Sequence, residues 1–241
     1  WELSIHGWIF ESEISAATLD WVRRRLGIGG AELPPEDRLI FGSRARAFLV
    51  DNEGGEVISV LIGEKIFALP ASGSNGHFAG RIRLTAEEVE RLRTRGRDGA
   101  WRITFRAVTR PDDPRVFEGH VLLLEPIGVS VITDVDDTVK ITEVRDRDAM
   151  LRNTFLRPFR VVPGIADVYR GWVTGTGATF HYVSASPWQL YEPLSVFFAE
   201  AGFPSGTLHM KFFRWKDRSF FNLFGSPQEY KRAVIEPLLR A

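Results

Sequence analysis

Cysteine is absent from this 241-residue chain, which excludes disulfides, thiolate zinc sites and cysteine nucleophiles and fits a reducing, cytosolic compartment. An excess of either charge is missing as well. Lys and Arg number 31 against 31 Asp and Glu, so no global field recruits nucleic acid or an anionic membrane, and nucleic acid is not an expected partner. No apolar run approaches the roughly 20 residues that a membrane-spanning helix requires. Histidine is sparse, and His77, His120 and His209 show no metal-ligand spacing. What is present, 44% hydrophobic and 26% charged residues, suffices for one large core or two ordinary ones.

Short strands are expected through the first half. Leu3, Ile5 and Trp8-Ile9-Phe10 suggest one, and the spacing of Leu19, Val22 and Leu26 predicts a helix from about Ser15 to Leu26, closed by glycines. Residues 45–50, 56–62 and 77–84 read as strands between the Gly-rich turns at 51–55 and 72–76. Thr85-Ala86-Glu87-Glu88 has the spacing of a capping box. Residues 101–108 alternate, and 116–124 answer them across Pro111-Asp112-Asp113-Pro114, which predicts a hairpin. The near-regular spacing argues for a mainly β, sandwich-like domain over residues 1–125. From about Pro126 strands alternate with helices: strands over 127–132, 180–183 and 208–213, helices over 165–172, 188–201 and 227–239. Such alternation implies a parallel sheet with helices on its faces, here over residues 126–241.

One stretch of this second half carries the chemistry. The apolar segment 127–132, expected to be a strand buried on both faces, runs into Thr133-Asp134-Val135-Asp136-Asp137-Thr138. Three carboxylates within four residues repel one another and resist burial, so they belong where the strand opens at its carboxyl end, which is where open α/β sheets bind ligands. An EF-hand loop fails on position, because its glycine would fall at Val139 and its glutamate at Arg145. Asp134 and Asp136, two residues apart, can address one substrate, one attacking while the other moves a proton. For a phosphate monoester, whose hydrolysis demands accelerations up to ~10²¹, such a pair requires a hard cation and further positive charge. A hydroxyl at a second strand end and a lysine would complete it. Ser184 follows the strand at 180–183, with Ser186 as a rival that also suits a helix cap, and Lys231 lies one turn into the last helix. A lysine there is otherwise an ordinary solvated residue.

The segment Asp134-Val135-Asp136-Asp137-Thr138 resembles the DxDxT signature of the haloacid dehalogenase superfamily. More narrowly, Val131–Val144, Pro163-Gly164 before Tyr169-Arg170, Phe180–Tyr191 and Phe203-Pro204 resemble the catalytic domain of actin-patch-type phosphatidate phosphatases and their bacterial relatives. The resemblance covers about residues 126–241, and residues 1–125 look like the β-rich region before that domain. It implies a Rossmann-like sheet and a Mg²⁺-dependent phosphomonoester hydrolase acting on phosphatidate or a related phospholipid. Asp134 would be the nucleophile and a metal ligand, and Asp136 the proton shuttle, its carbonyl facing the metal. Thr138 would orient the loop, Ser184 would bond the phosphoryl group, and Lys231 would offset charge. Asp137 has no step and is expected either to support the residues that do or to form the turn. The family places a further acidic strand after the lysine helix, and a chain running from Trp1 to Ala241 is expected to be cut from a longer protein. Two rivals stay open: a non-catalytic lipid- or protein-binding module on a degenerate scaffold, and a phosphatase of a soluble phosphomonoester. Aromatic and basic residues interleave at 212–216, and 220–224 is aromatic and apolar, which suggests either ordinary core with basic rims or peripheral membrane contact by an otherwise cytoplasmic protein.

Overall fold

A computed structural model describes residues 1–11, 16–28, 33–96, 98–212 and 227–240. Its strands are β1 (Glu2–Trp8), β2 (Phe10–Glu11), β3 (Asp51–Asn52), β4 (Ser59–Ile62), β5 (Lys65–Ala68), β6 (His77–Arg83), β7 (Thr94–Arg95), β8 (Trp101–Ala107), β9 (Glu118–Leu122), β10 (Ser130–Asp134), β11 (Thr179–Pro187) and β12 (Gly206–Lys211). Its helices are α1 (Ala16–Arg25), α2 (Pro35–Arg46), α3 (Ala86–Leu92), α4 (Arg147–Phe155), α5 (Ile165–Thr176), α6 (Tyr191–Glu200) and α7 (Pro227–Leu238). The fold is mixed α/β with several sheets. Two compact units form, residues 1–11 with 51–126 and residues 12–50 with 127–241.

The first unit is antiparallel. β1 pairs with β6, and β4, β5, β7, β8 and β9 form a five-stranded sheet. Alternation along β1 drives Leu3 and Ile5 inward, where they meet Val60, Ile62, Leu69, Ile82 and Ile103 in one core. The expected hairpin is β8 with β9, registered through Thr104 and His120. Thr85 caps α3, its side chain accepting from the Glu88 amide at 3.2 Å while the Glu88 carboxylate accepts from the Thr85 amide at 2.8 Å.

In the second unit β10, β11 and β12 form a parallel sheet in that order, with Asp134 opposite Val183 and Val183 opposite His209. The residues expected to make a strand buried on both faces are placed differently. β10 begins at Ser130, lies at an edge of the sheet among the described residues, and leaves Ile127 90% exposed. Phe180 and Tyr182 of β11 face the main core with Tyr169, Leu194 and Met210. Gly164 starts α5 at φ 80, a conformation that favours glycine. Gly206 lets β12 approach β11: a Cβ there would meet the Phe180 carbonyl at 2.5 Å.

Residues 12–50, which the sequence pattern grouped with the first unit, pack in the second. The stretch at 45–50, read as a strand, ends a helix instead. Its Ala45-Arg46-Ala47 alternation has a period of two, but Phe41, Ala45 and Phe48 follow helical spacing and join one core with Met150, Leu151 and Phe155. Glu36 and Asp37 in the first turn of α2 and Arg44 and Arg46 in its last complement the helix dipole. Phe48 meets Phe155 edge-on, with ring centroids 5.5 Å apart. The Arg44 guanidinium donates to the carbonyls of Thr154 at 2.6 Å and Arg157 at 2.8 Å, so it caps the end of α4 from within the core. Burial pushes its pKa down to about 10.

Candidate active site

The parallel register brings the ends of β10 and β11 side by side. Asp134 closes β10, and Ser184 follows the residue opposite it. Asp134 is half-buried, and its Oδ1 accepts from the Val135 amide at 2.9 Å and from Lys231 Nζ of α7 at 2.8 Å. Asp134 Oδ2 has no hydrogen-bond partner among the described residues.

Asp136 is bonded on both oxygens. Oδ1 accepts from Lys140 Nζ at 3.0 Å and Thr142 Oγ1 at 2.9 Å, and Oδ2 from Ser184 Oγ at 2.8 Å and Ser186 Oγ at 3.3 Å. Burial alone would raise this carboxyl. The Lys140 charge and the hydrogen bonds from Ser184, Lys140 and Thr142 outweigh burial and hold it below the ordinary carboxylate range.

Asp137 organises the loop. At φ 59 it turns the chain, and its carboxylate accepts the amides of Thr142 and Glu143, both at 2.7 Å, and Val144 at 2.8 Å. These backbone bonds outweigh desolvation and lower its pKa. Asn153 of α4 ties the same loop down, donating to the Thr142 carbonyl at 3.2 Å and to Glu143 at 2.7 Å. An Asp at this position thus forms the turn, as its neighbours suggested.

Among the expected residues, Asp134, Asp136, Ser184 and Lys231 converge. Thr138 contributes a backbone bond to the Val135 carbonyl at 3.4 Å, with no side-chain hydrogen bond among the described residues. Ser184 is 0% exposed and gives its one proton to Asp136 while accepting the Ser186 amide at 3.0 Å. Ser186, the rival, reaches the same carboxylate oxygen rather than capping a helix.

Sequence reasoning passed over Lys140 and Thr142. Lys140 is 2% exposed, donates to Thr142 Oγ1 at 2.7 Å, and lies 4.9 Å from the centre of the Phe159 ring. Its signal in the sequence is an i, i+4 spacing from Asp136, which also describes any surface ion pair. His181 is a packed core residue, bonded to Thr207 at 2.8 Å, and Thr207 bonds His209 at 2.8 Å. The basic and aromatic segments at 213–216 and 220–224, and Asp217 between them, lie outside the described residues.

The donors at this strand end are carboxylate and carbonyl oxygens, the set that suits a hard cation such as Mg²⁺. Among the described residues, no three His, Cys, Asp or Glu gather at one point. No helix among the described residues is long and apolar enough to cross a membrane.

Comparison with known proteins places this arrangement. Residues 129–241 match the family model described as phosphatidate phosphatase APP1, catalytic domain. Phosphatidate phosphatase APP1 of Saccharomyces cerevisiae is 35% identical over 120 residues, 48% of this chain and 20% of that protein. An uncharacterized protein of Schizosaccharomyces pombe is 38% identical over 93 residues, 37% of this chain and 15% of that one. The chain therefore aligns with a fifth or less of the length of these relatives. Asp134, Asp136, Ser184 and Lys231 all fall inside the matched span, so the candidate site lies in the part of the chain that is similar to a phosphatidate phosphatase catalytic domain.

Proposed function

We propose that the second unit is the catalytic part of a Mg²⁺-dependent phosphomonoester hydrolase acting on phosphatidate or a related phospholipid. The convergence of Asp134, Asp136, Ser184 and Lys231 at adjacent strand ends, inside a phosphatidate phosphatase-like span, carries this reading. The Rossmann-like order of the haloacid dehalogenase fold for the parallel sheet, and a sandwich for the first unit, belong to the same reading.

In the first half-reaction Asp134 Oδ2 attacks phosphorus and the bond from phosphorus to the alkoxide oxygen breaks. The alkoxide takes its proton from Asp136. In the second half-reaction Asp136 removes a proton from water, whose oxygen attacks the phosphorus of the aspartyl-phosphate, releasing phosphate and restoring Asp134. Lys231 holds Asp134 Oδ1 and offsets the negative charge that gathers between carboxylate and phosphoryl group. Ser184 orients Asp136 in the arrangement described, and a turn of its hydroxyl would offer the same proton to a phosphoryl oxygen. Thr138 steadies the loop through its backbone. The Asp134 carboxylate and the Asp136 carbonyl would hold Mg²⁺, which when bound supplies positive charge against the phosphoryl oxygens. A phospholipid substrate implies work at the surface of a membrane by a cytoplasmic protein.

The test is hydrolysis by the full-length gene product across phosphatidate, glycerol phosphate and a nucleoside monophosphate, with and without Mg²⁺. Phosphatidate should be preferred, chelation should stop turnover, and Asp134→Asn should abolish it. Full activity in Asp134→Asn would refute the mechanism, and preference for a soluble ester would replace the substrate.

A further inference from the structure

We propose that Arg44, Phe159 and Lys140 form a positioning relay that fixes the Asp136 carboxylate, so that helix α2, far outside the matched catalytic span, is part of the catalytic apparatus. The inference rests on Asp136 acting as the proton donor and adds residues to that role.

The relay runs through contacts of unequal kinds. Arg44 leaves α2 and stacks on Phe159, its Cζ 3.7 Å from the ring centre, while its Nη1 holds the carbonyls of Thr154 and Arg157. The loop that carries Phe159 is thereby tied to α2 at both Thr154 and Arg157. Lys140 Nζ approaches the same ring at 4.9 Å and ends 3.0 Å from Asp136 Oδ1. The backbone runs in parallel: the Ile141 amide donates to the Arg160 carbonyl at 2.8 Å and the Val162 amide to the Val139 carbonyl at 3.0 Å. The segment holding Phe159 is therefore the wall against which Lys140 is pressed.

The energetic logic favours a working role for this pair. A lysine with 2% exposure gives up its hydration, and replacing a buried ion pair by apolar residues is often neutral or stabilising. What the pair supplies is direction. With Oδ1 held by Lys140 and Thr142, the carboxylate plane is set and Oδ2 is left on the side of Ser184 and Ser186. A cation confined between an aromatic ring and a carboxylate has few alternative positions, because the ring offers it a second favourable contact only where it stands. Arg44 acts one step further back, through the placement of Phe159.

The experiment compares leaving groups in the full-length gene product. An aryl phosphate such as p-nitrophenyl phosphate departs without a proton, whereas an alkyl phosphate such as short-chain phosphatidate needs one. In a single turnover, which reads the first half-reaction before Asp136 acts as base on water, Lys140→Met and Phe159→Leu should slow release of the alkyl leaving group by about 10–100-fold and leave release of the aryl group within about threefold, because misplacing a catalytic group by about 1 Å costs on that order. Arg44→Met should follow in the same direction, and Arg44→Lys should recover only part of the loss, since ammonium cannot bridge two carbonyls and stack as guanidinium does. Asp136→Asn serves as the reference and should show the same dependence on leaving group, more strongly. Thermal unfolding of each variant separates loss of fold from loss of position, and Phe159→Leu keeps the core apolar if Lys140→Met does not fold. Equal losses on both esters for the relay variants, with leaving-group dependence intact in Asp136→Asn, would overturn the relay alone. Absence of that dependence in Asp136→Asn would overturn the proton-donor reading on which it stands.

Discussion

Lys231 of helix α7 and Asp134 at the end of strand β10 meet at 2.8 Å, with side chains 28% and 34% exposed. The pair is a contact between distant parts of the chain at a surface that substrate can reach, and its neighbours determine what removing each partner does.

Replacing Lys231 with Met should lower kcat by about 10²–10³-fold, the size seen when one preorganised charge or donor is taken from a developing anion. Lys231→Arg should recover part of the rate. Because the pair is partly solvated, the melting temperature should move little, and steady-state rates beside a calorimetric scan check both halves of this expectation.

Asp137 governs stability of the loop more than chemistry. Asp137→Ala strips three amides of their acceptor and puts alanine at φ 59, which should cost about 1–3 kcal/mol. Asp137→Asn keeps an acceptor and tolerates the turn, and should lose less. Hydrogen exchange at Thr142, Glu143 and Val144 should accelerate in the alanine variant first, before any global unfolding is seen.

Acid should destabilise both units. Burial lowers His6, His77 and His209 from 6.5 to about 4 and lowers His181 as well. For these bases the unfolded chain binds more protons than the folded one between pH 6.5 and about 4. Their contribution is whole above pH 6.5 and falls as pH drops through that window. Denaturant midpoints at pH 7.5 and 4.5 should differ, and His209→Gln should flatten the difference for the second unit.

Gly206 should not accept a side chain. A Cβ there would meet the Phe180 carbonyl at 2.5 Å and the Tyr182 ring at 2.6 Å, so Gly206→Ala must push β12 from β11 at a cost of about 1–3 kcal/mol. Urea unfolding measures it.

How far the sequence could be read varied with the range of the forces involved. The Thr85 capping box and the hairpin around Pro111–Pro114 are local matters of a few residues, and they stand where the pattern puts them. Asp134, Asp136 and Ser184 could be brought together in advance because parallel pairing stacks the carboxyl ends of strands. Lys140 could not: an i, i+4 lysine looks the same whether solvent or Phe159 surrounds it. The edge position of β10 was hidden because a strand's composition reports how apolar it is, and its neighbours are chosen elsewhere. Residues 45–50 misled because two periods fit six residues, and the decision fell to Phe155, more than a hundred positions away.

That separation has a consequence for synthesis. Arg44 and Thr154, joined by a hydrogen bond, stand 110 residues apart, an interval that takes a ribosome roughly 5–20 s at ordinary rates. Over that interval Phe41, Ala45 and Phe48 wait for Met150, Leu151 and Phe155, which complete their core. β6 follows β1 sooner, so the strands of the first unit can pair while α1 and α2 wait for α4.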